Sequence, residues 1–107
     1  MSPSRIVAFV PDLMDRSKVA GAAGDRVRFV GSPAELVEAA GDADLVLVDL
    51  ARPGASAVLG PLVAAGPRVV AFGSHVDRET LAAARSAGCD QVLARSAFFA
   101  DLVTLLA

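Results

Sequence analysis

Apolar runs of strand length alternate with stretches of helical periodicity from one end of the chain to the other. Ile6–Val10 is short, continuously apolar and stopped by Pro11, the pattern of a strand buried on both faces. Asp12 to Ala23 reads as a first helix ending near Gly24. Val27–Val30 is a second strand, interrupted by Arg28 and therefore placed near the sheet edge. Ser32-Pro33-Ala34-Glu35 has the form of a capping box. The Ser32 hydroxyl accepts from the Glu35 amide, Pro33 suits the first helical position, and the Glu35 carboxylate reaches back. That helix passes through Leu36, Val37 and Ala40 and stops at Gly41.

Leu45–Val48, fully apolar and followed by Asp49, is the clearest strand. A helix over Ala55–Ala65 is stopped by Gly66-Pro67, and Val69–Phe72 is the fourth strand. Asp77 caps a helix through Leu81, Ala84 and Arg85 that ends at Gly88. Gln91–Ala94 is a weaker fifth strand, and Phe98–Leu106 is the closing helix. Five strands alternating with helices, each strand continuous rather than alternating, predict an α/β fold with helices on both sheet faces. Right-handed crossovers make it a flavodoxin-like, doubly wound parallel five-stranded sheet of order 2-1-3-4-5 in a three-layer sandwich. One domain is expected over 1–107. Ligands of such sheets sit outside the carboxyl ends of the strands. That directs attention to Pro11, Asp12, Asp49, Gly73, Ser74, His75, Arg95 and Ser96.

Composition narrows the function classes. With 54% hydrophobic and 21% charged residues the chain is too apolar for disorder, and no apolar run approaches the ~20 residues of a membrane span. The start, Met1-Ser2-Pro3-Ser4-Arg5, lacks the regions of a signal peptide, and one cysteine makes no internal disulfide, so a cytoplasmic location is expected. Net charge is −2, no Lys or Arg patch gathers, and Tyr and Trp are absent. Nucleic-acid binding, which needs a positive footprint, is not expected.

Asp44 to Gly54, with Asp49 at the strand end and Pro53-Gly54 four residues later, resembles the third strand and following loop of response-regulator receiver domains. Val69–His75 and the run Ala87-Gly88-Cys89-Asp90 into Arg95-Ser96 extend the resemblance to the whole chain in element order. The resemblance implies that Asp49 stands at the phosphoacceptor position. It also shows departures. The adjacent acids that hold Mg²⁺ in the family fall on Val10 and Pro11, or on Pro11 and Asp12, with Asp15 a helical turn further on as a substitute. The hydroxyl after the fourth strand falls on Gly73, beside Ser74, and the family's Lys-Pro becomes Arg95-Ser96. Asp12 and Asp49 are then a weak site for Mg²⁺, the one cofactor the resemblance implies, because that ion is reluctant even with a full carboxylate set. Arg keeps the charge of Lys but not its shape.

Bland readings stand beside these. Asp49 is either a phosphoacceptor or a structural carboxylate that caps the following loop or pairs with Arg95, and these readings are open. His75 has no neighbour at metal-ligand spacing and reads as an exposed loop residue. Cys89 reads as a small hydrophobe. Phe98, Phe99, Leu102, Val103, Leu105 and Leu106 exceed the ~100° stripe one helix buries, so an interface through Phe98, Phe99, Leu102, Leu105 and Leu106 is expected. A C2 homodimer is its default form.

The function expected is a stand-alone, atypical receiver-like module acting through a protein partner, a histidine kinase or a downstream signalling protein. The alternative is a flavodoxin-like binder of flavin or nucleotide. Pro11-Asp12-Leu13-Met14-Asp15 has no phosphate-cradling glycines, which counts against it. An enzyme is not expected, because no nucleophile–base pair or metal cluster stands out.

Overall fold

The computed structural model describes residues 2–107. Strands β1 (Ile6–Phe9), β2 (Val27–Phe29), β3 (Leu45–Asp49), β4 (Arg68–Gly73) and β5 (Gln91–Ala94) form one parallel sheet in the order β2-β1-β3-β4-β5. The helices are α1 (Leu13–Ala23), α2 (Pro33–Ala40), α3 (Leu59–Ala64), α4 (Arg78–Ser86), α5 (Arg95–Ala100) and α6 (Leu102–Leu105). The expected topology is the one observed, and β2 with its exposed Arg28 is an edge strand, short and charged.

Side-chain alternation along each strand builds two cores. Val7, Phe9, Val46, Val48, Val69 and Ala71 face α2, α3 and α4, packing with Leu36, Leu59, Leu62 and Leu81. Ile6, Ala8, Leu45, Leu47, Val70 and Phe72 face the other way, onto Val19 of α1 and Phe98, Leu102, Leu105 and Leu106. By this alternation Asp49 belongs to the α1/α5 face, and Leu50 and Gly73 to the opposite one. The parallel register sets Asp49 beside Phe72 and Gly73 beside Ala94, so the ends of β3, β4 and β5 meet in one place.

Local signals act largely as read. Asp12 caps α1, accepting from the Met14 and Asp15 amides at 2.9 and 3.0 Å. Ser32 caps α2, although the Glu35 carboxylate reaches the Gly31 amide (2.7 Å) instead of that of Ser32. The third helical stretch is shorter than Ala55–Ala65, since Ser56–Val58 is a 3₁₀ turn. The Arg26 guanidinium donates to the carbonyls of Pro3, Ala22, Ala23 and Leu106, tying both ends of the chain to α1.

The closing helix corrects the sequence reading. It begins at Arg95, directly off β5, and breaks at Asp101 (φ −107°, ψ 13°) into α5 and α6. The break re-phases the two pieces, so Leu106 joins Phe98, Leu102 and Leu105 on the core side. Phe98, Leu102, Leu105 and Leu106 are buried, and the interface expected through them is overturned. Phe99 is half-buried, and only Val103 is fully presented to solvent.

Candidate functional site

The carboxyl ends of β1, β3 and β5 lead into Asp12 and Asp15, into Asp49, and into Arg95, respectively. Asp49 closes β3 and is only 2% exposed. Its Oδ1 accepts from the Ala51 amide at 3.0 Å, a local turn that Asp side chains favour. Its Oδ2 lies 3.5 Å from Nε of Arg52, whose side chain is part-exposed. Arg95 is not its ion-pair partner, which corrects that expectation.

Arg95 pairs instead with Asp15: Nη2 donates to Oδ1 of the carboxylate. Asp15 is 1% exposed, and its Oδ2 is buried with no hydrogen-bond partner. A buried carboxylate demands a counter-ion, because burial penalises the charged form. The Asp15 carboxylate, with weaker contributions from Asp49 and Asp12, holds the Arg95 guanidinium more firmly protonated than usual. Arg95 also lies 5.1 Å over the Phe99 ring, whose other cationic neighbour is the Lys18 ammonium at 5.0 Å. As the first residue of α5, Arg95 places a cation where the helix dipole disfavours one. The acids, not the helix, account for its position.

Asp12 is exposed, and its carboxylate is committed to the α1 amides, which hold it below the usual carboxylate range. Gly73 faces away from the acids. A Cβ there would meet Leu50 and Leu81 at 3.4 Å, so the position that carries a hydroxyl in receivers looks into aliphatic packing. Ser74 is exposed and accepts from the Val76 amide at 3.4 Å. His75 is exposed, as expected. Burial pushes the Cys89 thiol up, which makes it a poor nucleophile.

A shallow cavity of about 240 Å³ opens between Asp49, Phe72, His75, Arg95 and Ser96. A larger hollow, about 630 Å³, lies at the opposite end of the sheet between α2 and the starts of β1 and β2, away from these side chains. Among the described residues no three His, Cys, Asp or Glu side chains are grouped to hold a metal ion, and no helix is long and apolar enough to cross a membrane.

Of the residues singled out from the sequence, Asp49, Gly73, Ser74 and Arg95 line the shallow cavity and Asp12 does not, and the weight of Asp15 was not legible. Asp15, Val19 and Ala23 form the buried stripe of α1, while Leu13 and Met14 are 78% and 73% exposed. An acid on the buried stripe beside exposed large apolar residues inverts the usual pattern. That inversion is the signal available in advance.

No protein-family model and no curated protein matches the chain. Solved structures do. The BeF3-activated DrrB receiver domain superposes with a TM-score of 0.80 at 15% identity, over 98% of this chain and 94% of that one. A CheY-like receiver domain protein from Methanospirillum hungatei JF-1 gives 0.79 at 17% identity, over 97% and 90%. A response regulator from Burkholderia pseudomallei, with a phosphorylated aspartic acid and a calcium ion, gives 0.77 at 18% identity. The match covers 97% of this chain but 66% of that protein. The likeness is one of architecture, and the architecture is that of the CheY-like receiver domains of response regulators.

Proposed function

We propose that the chain is an atypical receiver-type signalling module that works through contacts with a protein partner, a histidine kinase or a downstream signalling protein, and in which Asp49 is not a working phosphoacceptor. One observation carries this reading: the guanidinium at the position of the family's lysine is bound to a buried carboxylate from α1. Phosphoryl transfer relies on positioning and on a metal that neutralises developing charge. The residues here do not fit a magnesium ion. Asp12 caps α1, Asp15 is taken by Arg95, and among the described residues no group of three metal-ligating side chains includes Asp49. The Oδ atoms of Asp49 are engaged by Ala51 and Arg52, and no hydroxyl is supplied at Gly73. The chain's architecture supports the class, and the pocket's own contacts support the departure from it.

Incubation with acetyl phosphate and Mg²⁺, followed by intact-mass measurement, tests the proposal. The expected result is an unchanged mass. A stoichiometric phosphoryl adduct that disappears in Asp49→Asn overturns it.

A further inference from the structure

We propose that the open edge of β2 is a docking strand for an extended segment of another protein, one that sets an acidic side chain opposite Arg28 and apolar side chains opposite Val27 and Phe29. Val27–Phe29 contributes no residue to the strand-end cavity, so the inference goes beyond the reading of that cavity and does not depend on Asp49.

β2 has a neighbouring strand on one side only. The Val30 amide donates to the Ala8 carbonyl at 3.0 Å, and Arg28 is in register with Val7. In a parallel ladder this turns the backbone groups of Arg28 and Val30 towards β1 and those of Val27 and Phe29 outwards. Among the described residues no turn or loop hydrogen bond engages the outward groups. They are the unpaired donors and acceptors on which strand addition builds. The side chains sort to two faces. Val7 belongs to the core under α2, so its register partner Arg28 points to that side, whereas Val27 and Phe29 pack towards α1. α2 packs over β1, and Arg28 lines the hollow of about 630 Å³ beside it. Arg28 is exposed and makes no ion pair among the described residues. The acids of the hollow, Glu35 and Glu38, stand on α2, and the Glu35 carboxylate is engaged by the Gly31 amide at 2.7 Å. An added strand therefore meets a free guanidinium on one face. On the other it meets two half-buried apolar side chains, with the Arg16 guanidinium 5.2 Å over the Phe29 ring. Opposite charges directly across two strands stabilise the pair, and like charges destabilise it. The same rule decides against a second copy of this chain. A two-fold antiparallel pairing that uses Val27 and Phe29 of both copies centres on Arg28 and sets guanidinium against guanidinium. Arg28 thus repels the chain's own edge and selects a strand that carries an acid.

The probes are two end-capped pentapeptides, Thr-Val-Glu-Val-Thr and Thr-Val-Lys-Val-Thr, titrated into the isotope-labelled natural protein and Arg28→Glu and followed by amide NMR. The Glu peptide is expected to shift the Val27, Arg28 and Phe29 signals of the natural protein saturably and to slow solvent exchange of the Val27 and Phe29 amides at least about tenfold. It is expected to bind roughly five times more tightly than the Lys peptide, and Arg28→Glu is expected to reverse that preference. Three results overturn the proposal: no saturable shift by about 5 mM peptide, shifts without slowed exchange at Val27 and Phe29, or a preference for the Glu peptide that survives in Arg28→Glu. Dimerisation of the natural protein without peptide, with the same two amides protected, makes the occupant a second copy and overturns it too. If Arg28→Glu does not fold, amide protection and the preference between peptides in the natural protein decide alone.

Discussion

Replacing Phe98 by Ala is expected to lower stability by about 3–5 kcal/mol, the range for deleting a buried aromatic ring. Phe98 is fully buried and stacks on Phe72 with ring centroids 4.2 Å apart and planes 16° from parallel. Phe99 closes the cluster edge-on, at 4.9 Å from Phe98 and 5.4 Å from Phe72. This aromatic trio lies where α5 crosses the end of β4, under the residues of the pocket. Deleting its central ring removes area, stacking and the floor beneath Arg95. Val103, on α6 and 75% exposed, is the control: its replacement by Ser is expected to change stability by no more than about 0.5 kcal/mol. Urea unfolding of both variants measures the contrast. Equal losses would contradict the placement of the closing helix.

The second large effect is an asymmetry across one ion pair. Arg95→Gln is expected to cost about 2–4 kcal/mol at neutral pH, because it strands the Asp15 carboxylate in the interior without its cation. Asp15→Asn is expected to cost about 1 kcal/mol or less, since the Arg95 side chain is 47% exposed and can hydrate. The range for Arg95→Gln sits below that for a fully buried pair because half of this pair is in water. Combining the two changes is expected to return most of the Arg95→Gln loss. Chemical denaturation of the four proteins as a double-mutant cycle gives the coupling directly. Equal single losses, or strict additivity, would show that the two side chains do not act as a buried charge and its counter-ion.

Much of the fold was legible because its determinants are local and repeated. Continuous strands such as Leu45–Val48 announce a sheet covered on both faces, and the caps at Asp12, Ser32 and Asp77 start helices within a residue of where they were placed. The closing helix was misread because its two apolar sets were counted on one straight helix. A bend at Asp101 brings Leu106 onto the core beside Phe98, Leu102 and Leu105 and leaves Val103 outside, and nothing in a 3.6-residue period reveals such a bend. The pocket was legible at the strand ends, where topology fixes position. Its pairing was not, since Arg95 and Asp15 lie 80 residues apart and the choice between Asp15 and Asp49 depends on the rotation of α1 about its axis. That rotation is set by Val19 and Ala23 on the buried side, against the pull of Leu13 and Met14.

The central claim is that the acid pocket is already completed by the chain's own cation and does not accept a phosphoryl group at Asp49. Beryllofluoride, which mimics that group on an aspartate, tests it most directly in a fluorine NMR spectrum recorded with Mg²⁺. The account predicts only the free beryllofluoride signals, unchanged between the natural protein and Asp49→Asn. A stoichiometric bound signal in the natural protein that is lost in Asp49→Asn would contradict it.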